Sequence, residues 1–234
     1  PCAEVEMIPP LIVRRALDLR LDWIGITDHN TAGNVRAVLA AAQDTGLTVT
    51  PGLEVESREE VHLVCLFDTA DQAEAWAALV AAHLPPLRND ERFFGAQFVV
   101  DAAGDLVRCE ERLLLTSTDL STEEIVRGAS ELGGLVIPAH VDRPANSLLV
   151  NLGFVPAGLP VAGLEISRHT RGEAFRQSHP ELARYGLVAS GDAHRLNEMV
   201  ARTAVLSEAA TVDELRRALC GEGGRSVTVY GESA

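Results

Sequence analysis

At 234 residues, with 47% hydrophobic and 23% charged residues, the chain has enough apolar material for a full core, and α/β barrels of this length form single domains. Its 34 acidic residues against 20 basic ones leave a formal charge of −14, which argues against an extended nucleic-acid groove because phosphate binding needs a basic footprint. All 20 basic residues are arginine, so Schiff-base chemistry and a P-loop lysine are excluded, and an anion must be met by guanidinium forks or backbone N–H groups.

In chain order the pattern alternates between helix and strand. Pro10 sits at a helix start, with Leu11, Ile12, Ala16, Leu17 and Leu19 at helical spacing, before a strand over 21–26. An alanine-rich helix over 31–45 closes at Gly46, where a left-handed cap fits, and a strand over 47–50 follows. Residues 61–67 form an apolar run broken only by His62, as in a strand buried on both faces. A helix over 71–82 then stops at Pro85-Pro86.

Residues 87–119 break this rhythm. Segments 94–100 and 106–109, joined by Ala102-Ala103-Gly104-Asp105, predict a β-hairpin within an insertion or lid. Ser121 and Glu124 form a capping box ahead of a helix that ends at Gly133-Gly134, and a strand over 135–137 leads to His140. Later strands are predicted over 163–166, 187–189, 203–206 and 226–229, with helices over 172–178 and 211–219. The alternation favours a mainly parallel sheet or closed barrel in one domain over 1–234, whose ligands gather at the carboxyl ends of the strands.

No run reaches 18 consecutive apolar residues and no charged-then-apolar segment opens the chain, so neither a membrane span nor a secretory signal is expected and a cytoplasmic location is. Cys2, Cys65, Cys109 and Cys220 lack CxxC spacing and suit free thiols, with Cys65 packed in the core.

Four segments carry potential ligands directly beside strand-like runs. They are Ile26-Thr27-Asp28-His29-Asn30, Gly52-Leu53-Glu54 with His62, Pro138-Ala139-His140, and Ser190-Gly191-Asp192-Ala193-His194. His29, Glu54, His62, His140, Asp192 and His194 give four imidazoles and two carboxylates, a donor set suited to zinc, manganese or iron rather than calcium. Each segment has a plainer explanation by itself: His62 as a hydrogen-bonded core residue, or Asn30 or Thr31 as a helix cap. Four of the seven histidines nevertheless fall at strand-like runs, whereas His83, His169 and His179 lie in helical or loop contexts.

These motifs, ITDHN, GLEVESREEVHLVCLF, IPAH and SGDAH in that order and spacing, resemble the PHP domain, named for polymerase and histidinol phosphatase. The resemblance implies a distorted (β/α)7 TIM-like barrel with the inserted hairpin, and a cluster of two or three divalent ions that hydrolyses phosphate esters through a metal-activated hydroxide. It implies that His29 and His194 share one ion and that Glu54, His62 and His140 hold a second. Glu54 would bridge to a third ion that Asp192 also binds, and Asp28 would fix a ligand histidine by hydrogen bonding.

The family's opening Asp-Leu-His-x-His-Thr strand has no counterpart, which leads to the expectation that an N-terminal strand has been cut off or omitted and that this chain is poorly active. An aspartate common after that motif would fall at Pro1. Glu4 or Glu6 is the available substitute, although both suit a solvated turn.

The expected reaction places Asp192, His194 and Glu54 in the catalytic centre. Arg143, three residues after His140, is the first candidate for phosphate recognition, with Arg168 and Arg195 next and His169 as a possible proton donor to a leaving group. A small phosphorylated substrate, a phosphomonoester or nucleotide-like molecule, is expected, with no extended nucleic acid and no membrane partner. An amide or lactone hydrolase on the same metal barrel, or a non-catalytic metal-binding regulatory module, are the alternatives.

Overall fold

A computed structural model describes residues 3–231; Pro1 and Cys2, invoked above, lie outside the described residues. The chain begins with helix α1 (Pro9–Asp18), strand β1 (Trp23–Ile26), helix α2 (Val35–Ala42) and strands β2 (Thr48–Glu56) and β3 (His62–Leu66). Helix α3 (Ala70–Ala82), short helix α4 (Glu91–Phe94) and hairpin strands β4 (Phe98–Val100) and β5 (Leu106–Cys109) follow, then α5 (Thr122–Glu131), β6 (Leu135–Pro138) and α6 (Leu148–Asn151). The remainder comprises β7 (Gly163–Ile166), α7 (Gly172–Ser178), β8 (Gly186–Ala189), β9 (Thr203–Leu206), α8 (Val212–Cys220) and β10 (Ser226–Val229).

Local chemistry accounts for many boundaries. The predicted box at Ser121 and Glu124 forms, with Ser121 Oγ accepting from Glu124 N and Glu124 Oε2 from Ser121 N, and Thr69 with Gln72 caps α3 in the same way. Helix α2 is shorter than its composition suggests. Asn34 is drawn away from it: its side chain donates to Asp28 Oδ2 at 2.9 Å and to Phe98 O at 3.2 Å, and accepts from Val100 N at 3.0 Å.

The sheet departs from the mainly parallel expectation. The central order is β1-β2-β3-β6, with β1 and β2 parallel but β3 antiparallel to both β2 and β6. The link between β2 and β3 holds only residues 57–61, closed by Ser57 N donating to Val61 O, and so short a link can make only an antiparallel pair. Pairs β7-β8 (parallel), β9-β10 and β4-β5 (both antiparallel) form separate sheets, so hydrogen-bonded strands among the described residues do not close a barrel. The fold is α/β, with one mixed four-stranded sheet and three two-stranded pairs.

The main core joins Leu53, Val55, Leu63 and Phe67 to Ile125, Leu164 and Ile166, while a second cluster packs Ile12 and Ala16 of α1 against Val38 and Val49. Cys65 is buried in the main core as expected, and burial pushes its thiol up to about 12. Cys65, Cys109 and Cys220 are free thiols. No helix among the described residues is long and apolar enough to cross a membrane.

Candidate metal centre

The antiparallel turn decides where His62 goes. It opens β3 rather than following a strand, and because β3 runs against its neighbours, that opening lies at the carboxyl ends of β2 and β6. Glu54 lies within the nine-residue strand β2, not after a strand as the sequence suggested. Gly52 precedes it where β2 and β3 close up: a Cβ there would stand 2.5 Å from Cys65 O.

Three ligand atoms converge at this end of the sheet. Glu54 Oε1 is 3.2 Å from His62 Nδ1 and 3.4 Å from His140 Nε2, and these two nitrogens are 3.3 Å apart. A cation bound tetrahedrally at about 2.0–2.1 Å spaces its ligand atoms about 3.3 Å apart, so this triangle has the edge lengths of one coordination face. The other carboxylate oxygen, Glu54 Oε2, is 3.3 Å from His29 Nδ1, and ligand atoms of His29, Glu54 and His62 all lie within 4.8 Å of one another. The donor set and its spacing therefore fit a divalent cation.

Glu54, His62 and His140 are buried. Burial by itself would raise the Glu54 carboxyl, but contacts with His140 and His62 and the field of His29 hold it well below the usual carboxylate range. For His62, burial opposes the charged ring, yet Glu54 and Glu56 raise its pKa to about 9. Glu56, which sequence reasoning missed, stands 3.6 Å from His62 Nε2 and accepts from Ser117 Oγ at 2.7 Å, so it orients the ring from behind. His140 Nδ1 is buried with no hydrogen-bond partner among the described residues.

Backbone strain marks the same positions. His140 has φ 29° and Asp192 φ 44°, left-handed values that cost a non-glycine residue energy and occur where the surrounding structure imposes them. Asn30, beside His29, has φ 53° and is held by its side chain, which donates to Leu114 O and Thr116 O and accepts from Glu56 N. Neither Asn30 nor Thr31 caps the next helix.

The Asp192–His194 loop follows β8 and closes the other side of a cleft lined by Asp28, His29, Glu54, Glu165, Asp192 and His194. The His29 and His194 rings have centroids 6.0 Å apart. Arg143 donates to Asp192 Oδ2, which puts the first candidate for phosphate recognition at the cleft. Arg168 is committed elsewhere: it donates to Gly191 O at 2.6 Å and Glu198 Oε1 at 2.9 Å, while Glu198 Oε2 accepts from His194 N, so the pair braces the loop. A Cβ on Gly191 would stand 2.4 Å from Glu198 O, which is why the brace needs glycine there.

Arg195 pairs with Glu4 on the surface, Glu6 accepts from Leu196 N, and His169 is exposed. Asp28 accepts from Asn34. The structure also sets Glu54 between the His62–His140 pair and His29, a different partition from the three-ion scheme that the resemblance implies.

Glu165 is the second residue that sequence reasoning missed. It is buried in the cleft wall, accepts from Ser190 Oγ, and is pushed up to about 8 by burial, against that hydrogen bond and reinforced by Glu54, Asp192 and Asp142. Its signal was available: Gly163-Leu164-Glu165 repeats the Gly52-Leu53-Glu54 pattern.

No family model and no curated protein matches the chain. Among solved structures it is similar to the lesion-specific endonuclease PfuEndoQ of Pyrococcus furiosus, at 20% identity and a TM-score of 0.71, covering 96% of this chain and 54% of that one. It is equally similar to an endonuclease Q in complex with a 27-mer duplex that carries an abasic lesion at the active site, at 20% identity and a TM-score of 0.72, covering 97% and 55%. The chain thus spans about half the length of these endonucleases. A candidate metal-dependent phosphoesterase from Bifidobacterium adolescentis matches at 20% identity and a TM-score of 0.57 over 92% of this chain and 91% of that one. A two-domain Bacteroides vulgatus protein, containing a predicted PHP-like metal-dependent phosphoesterase, matches at 13% identity and 0.52 over 98% and 62%.

The fold is therefore PHP-like. One expectation is corrected: net charge does not exclude extended nucleic acid, since this fold serves a duplex-bound endonuclease. Net charge sums over the whole surface, whereas an active-site contact depends on the local field at the cleft.

Proposed function

We propose that this chain is a metal-dependent phosphoesterase whose centre is the cleft between β2, β3, β6 and the loop after β8. The observation that carries this reading is the triangle of Glu54 Oε1, His62 Nδ1 and His140 Nε2, with edges of 3.2–3.4 Å. Glu54, His62 and His140 would hold one divalent cation, His29 stands beside Glu54, and Asp192 and His194 complete the ligand set from the loop after β8. Divalent cations at such a centre supply Lewis-acid stabilisation of the charge that develops on a phosphoryl group.

The chain's other residues orient and select. Glu56 fixes the His62 ring, Arg168 and Glu198 fix the loop that presents Asp192 and His194, and Arg143 offers a guanidinium to the substrate anion at the rim. The hairpin of β4 and β5 is tied through Asn34 to Asp28 in the cleft, which suits it to control which phosphoester enters. Phosphodiesters in nucleic acid join phosphomonoesters as substrates because the fold likeness extends to endonuclease Q.

The test is a panel of phosphomonoesters, nucleotides and lesion-bearing duplexes with manganese or zinc added. Cation-dependent cleavage of at least one class, lost in His62→Ala, is expected. A metal-loaded chain that cleaves none of them sinks the proposal, and cleavage of amides or lactones instead would replace it.

A further inference from the structure

Two strands of this chain carry the same tripeptide, Gly52-Leu53-Glu54 in β2 and Gly163-Leu164-Glu165 in β7. In both, the leucine is fully buried in the core, and strand alternation turns the following glutamate to the opposite face. There Glu54 and Glu165 are 6% and 5% exposed and line one cleft. Glu54 sits among histidines; Glu165 has no part in the ligand set described so far.

Its surroundings favour a cation. Ser190 Oγ donates to Glu165 Oε1 and thereby ties the carboxylate to the loop that carries Asp192 and His194 two and four residues later. Glu165 forms no ion pair among the described residues, whereas the Glu54 and Asp192 carboxylates that line the same cleft are paired, Glu54 with His29, His62 and His140 and Asp192 with Arg143. A buried carboxylate without a positive group of its own is unfavourable until one joins it. Imidazoles of His29 and His194 line the same cleft, so the donors there are of the mixed kind that divalent transition metals accept.

We propose that Glu165 is a further cation ligand of this centre, standing beside His140, where Val141 N donates to Glu165 O at 2.8 Å, and tied through Ser190 to the loop that carries Asp192. The inference rests on the cation-centre reading above. The competing role is structural, in which Glu165 serves only to hold Ser190.

Glutamine at this position keeps the size and the oxygen that accepts from Ser190 but loses the charge, so Glu165→Gln separates the two roles. Metal-free wild type and variant are titrated with zinc by calorimetry, and bound metal is counted by elemental analysis. The variant is expected to bind one ion fewer per chain, or its weakest ion at least about tenfold less tightly, with the metal-free melting temperature unchanged or raised. Stoichiometry and affinities within about twofold of wild type overturn the assignment.

A second measurement needs no variant. Anomalous diffraction from zinc-soaked wild-type crystals is expected to place an ion about 2.0–2.2 Å from a Glu165 oxygen. Zinc at the triangle with none at Glu165 overturns this inference alone; zinc at neither overturns the cation centre with it.

Discussion

His140 shows how much a single residue bears at this centre. Its backbone is held at φ 29°, its side chain is 1% exposed, and its Nε2 points at both Glu54 and His62. Strain and burial together mark a position imposed by its neighbours, and the neighbour common to all is Glu54. Glu54→Gln is expected to weaken binding of the tightest ion by at least about 100-fold, measured by competition with a coloured chelator; unchanged affinity would remove Glu54 from the ligand set.

The same residues set a pH dependence in metal-free protein. His62 is raised to about 9 and Glu165 to about 8, so between their unfolded values and these the native state holds protons that the unfolded state has lost. Stability is therefore lost as pH rises, through about 8 for Glu165 and about 9 for His62. Glu54, held low, acts oppositely and costs stability as pH falls below the usual carboxylate range. Chemical denaturation of chelator-treated protein from pH 4 to 9.5 should show a mildly acidic maximum. A profile rising steadily to pH 9 would contradict these assignments.

At the scale of elements, the turn between β2 and β3 matters most. It reverses the chain after Glu56 and so returns His62 to the level of Glu54. Gly52 lets the two strands approach, and Gly52→Ala should cost about 1–3 kcal/mol by overpacking and displace Glu54, read as lower denaturation midpoint and lower metal affinity together. Stability lost with affinity intact would separate the two effects.

Asn34 performs the corresponding task for the hairpin, joining Phe98 and Val100 of β4 to Asp28. Asn34→Ala should cost about 1–2 kcal/mol and accelerate amide exchange across 98–109 while leaving β2 and β3 protected. Uniform exchange would mean that the hairpin is held by other contacts. The hairpin's own sequence announced a turn and two extended segments, but not the short helix α4 ahead of them, where Asp90 Oδ1 accepts from Arg92 N.

For the whole molecule, the proposed cation centre links binding to folding, because its proposed ligands come from β2, β3 and the segments after β1, β6 and β8, distant in sequence. A cation at about 100 times its Kd stabilises the folded chain by about 2.7 kcal/mol, so zinc or manganese should raise the melting temperature and a chelator should reverse it. Glu54→Gln should abolish most of that response. The sequence by itself determined the alternation of helix and strand, the burial of 61–67, the capping box at Ser121 and the six candidate ligands, because periodicity, caps and side-chain chemistry are local properties. It did not determine the direction of β3, the mixed pairing of the central sheet or the place of Glu56 behind His62, because strand direction depends on which neighbour a strand pairs with after a turn. Only the tertiary structure decided that His62, at the start of its strand, meets Glu54 and His140 at the far ends of theirs, since an antiparallel strand carries its first residue to its neighbours' last.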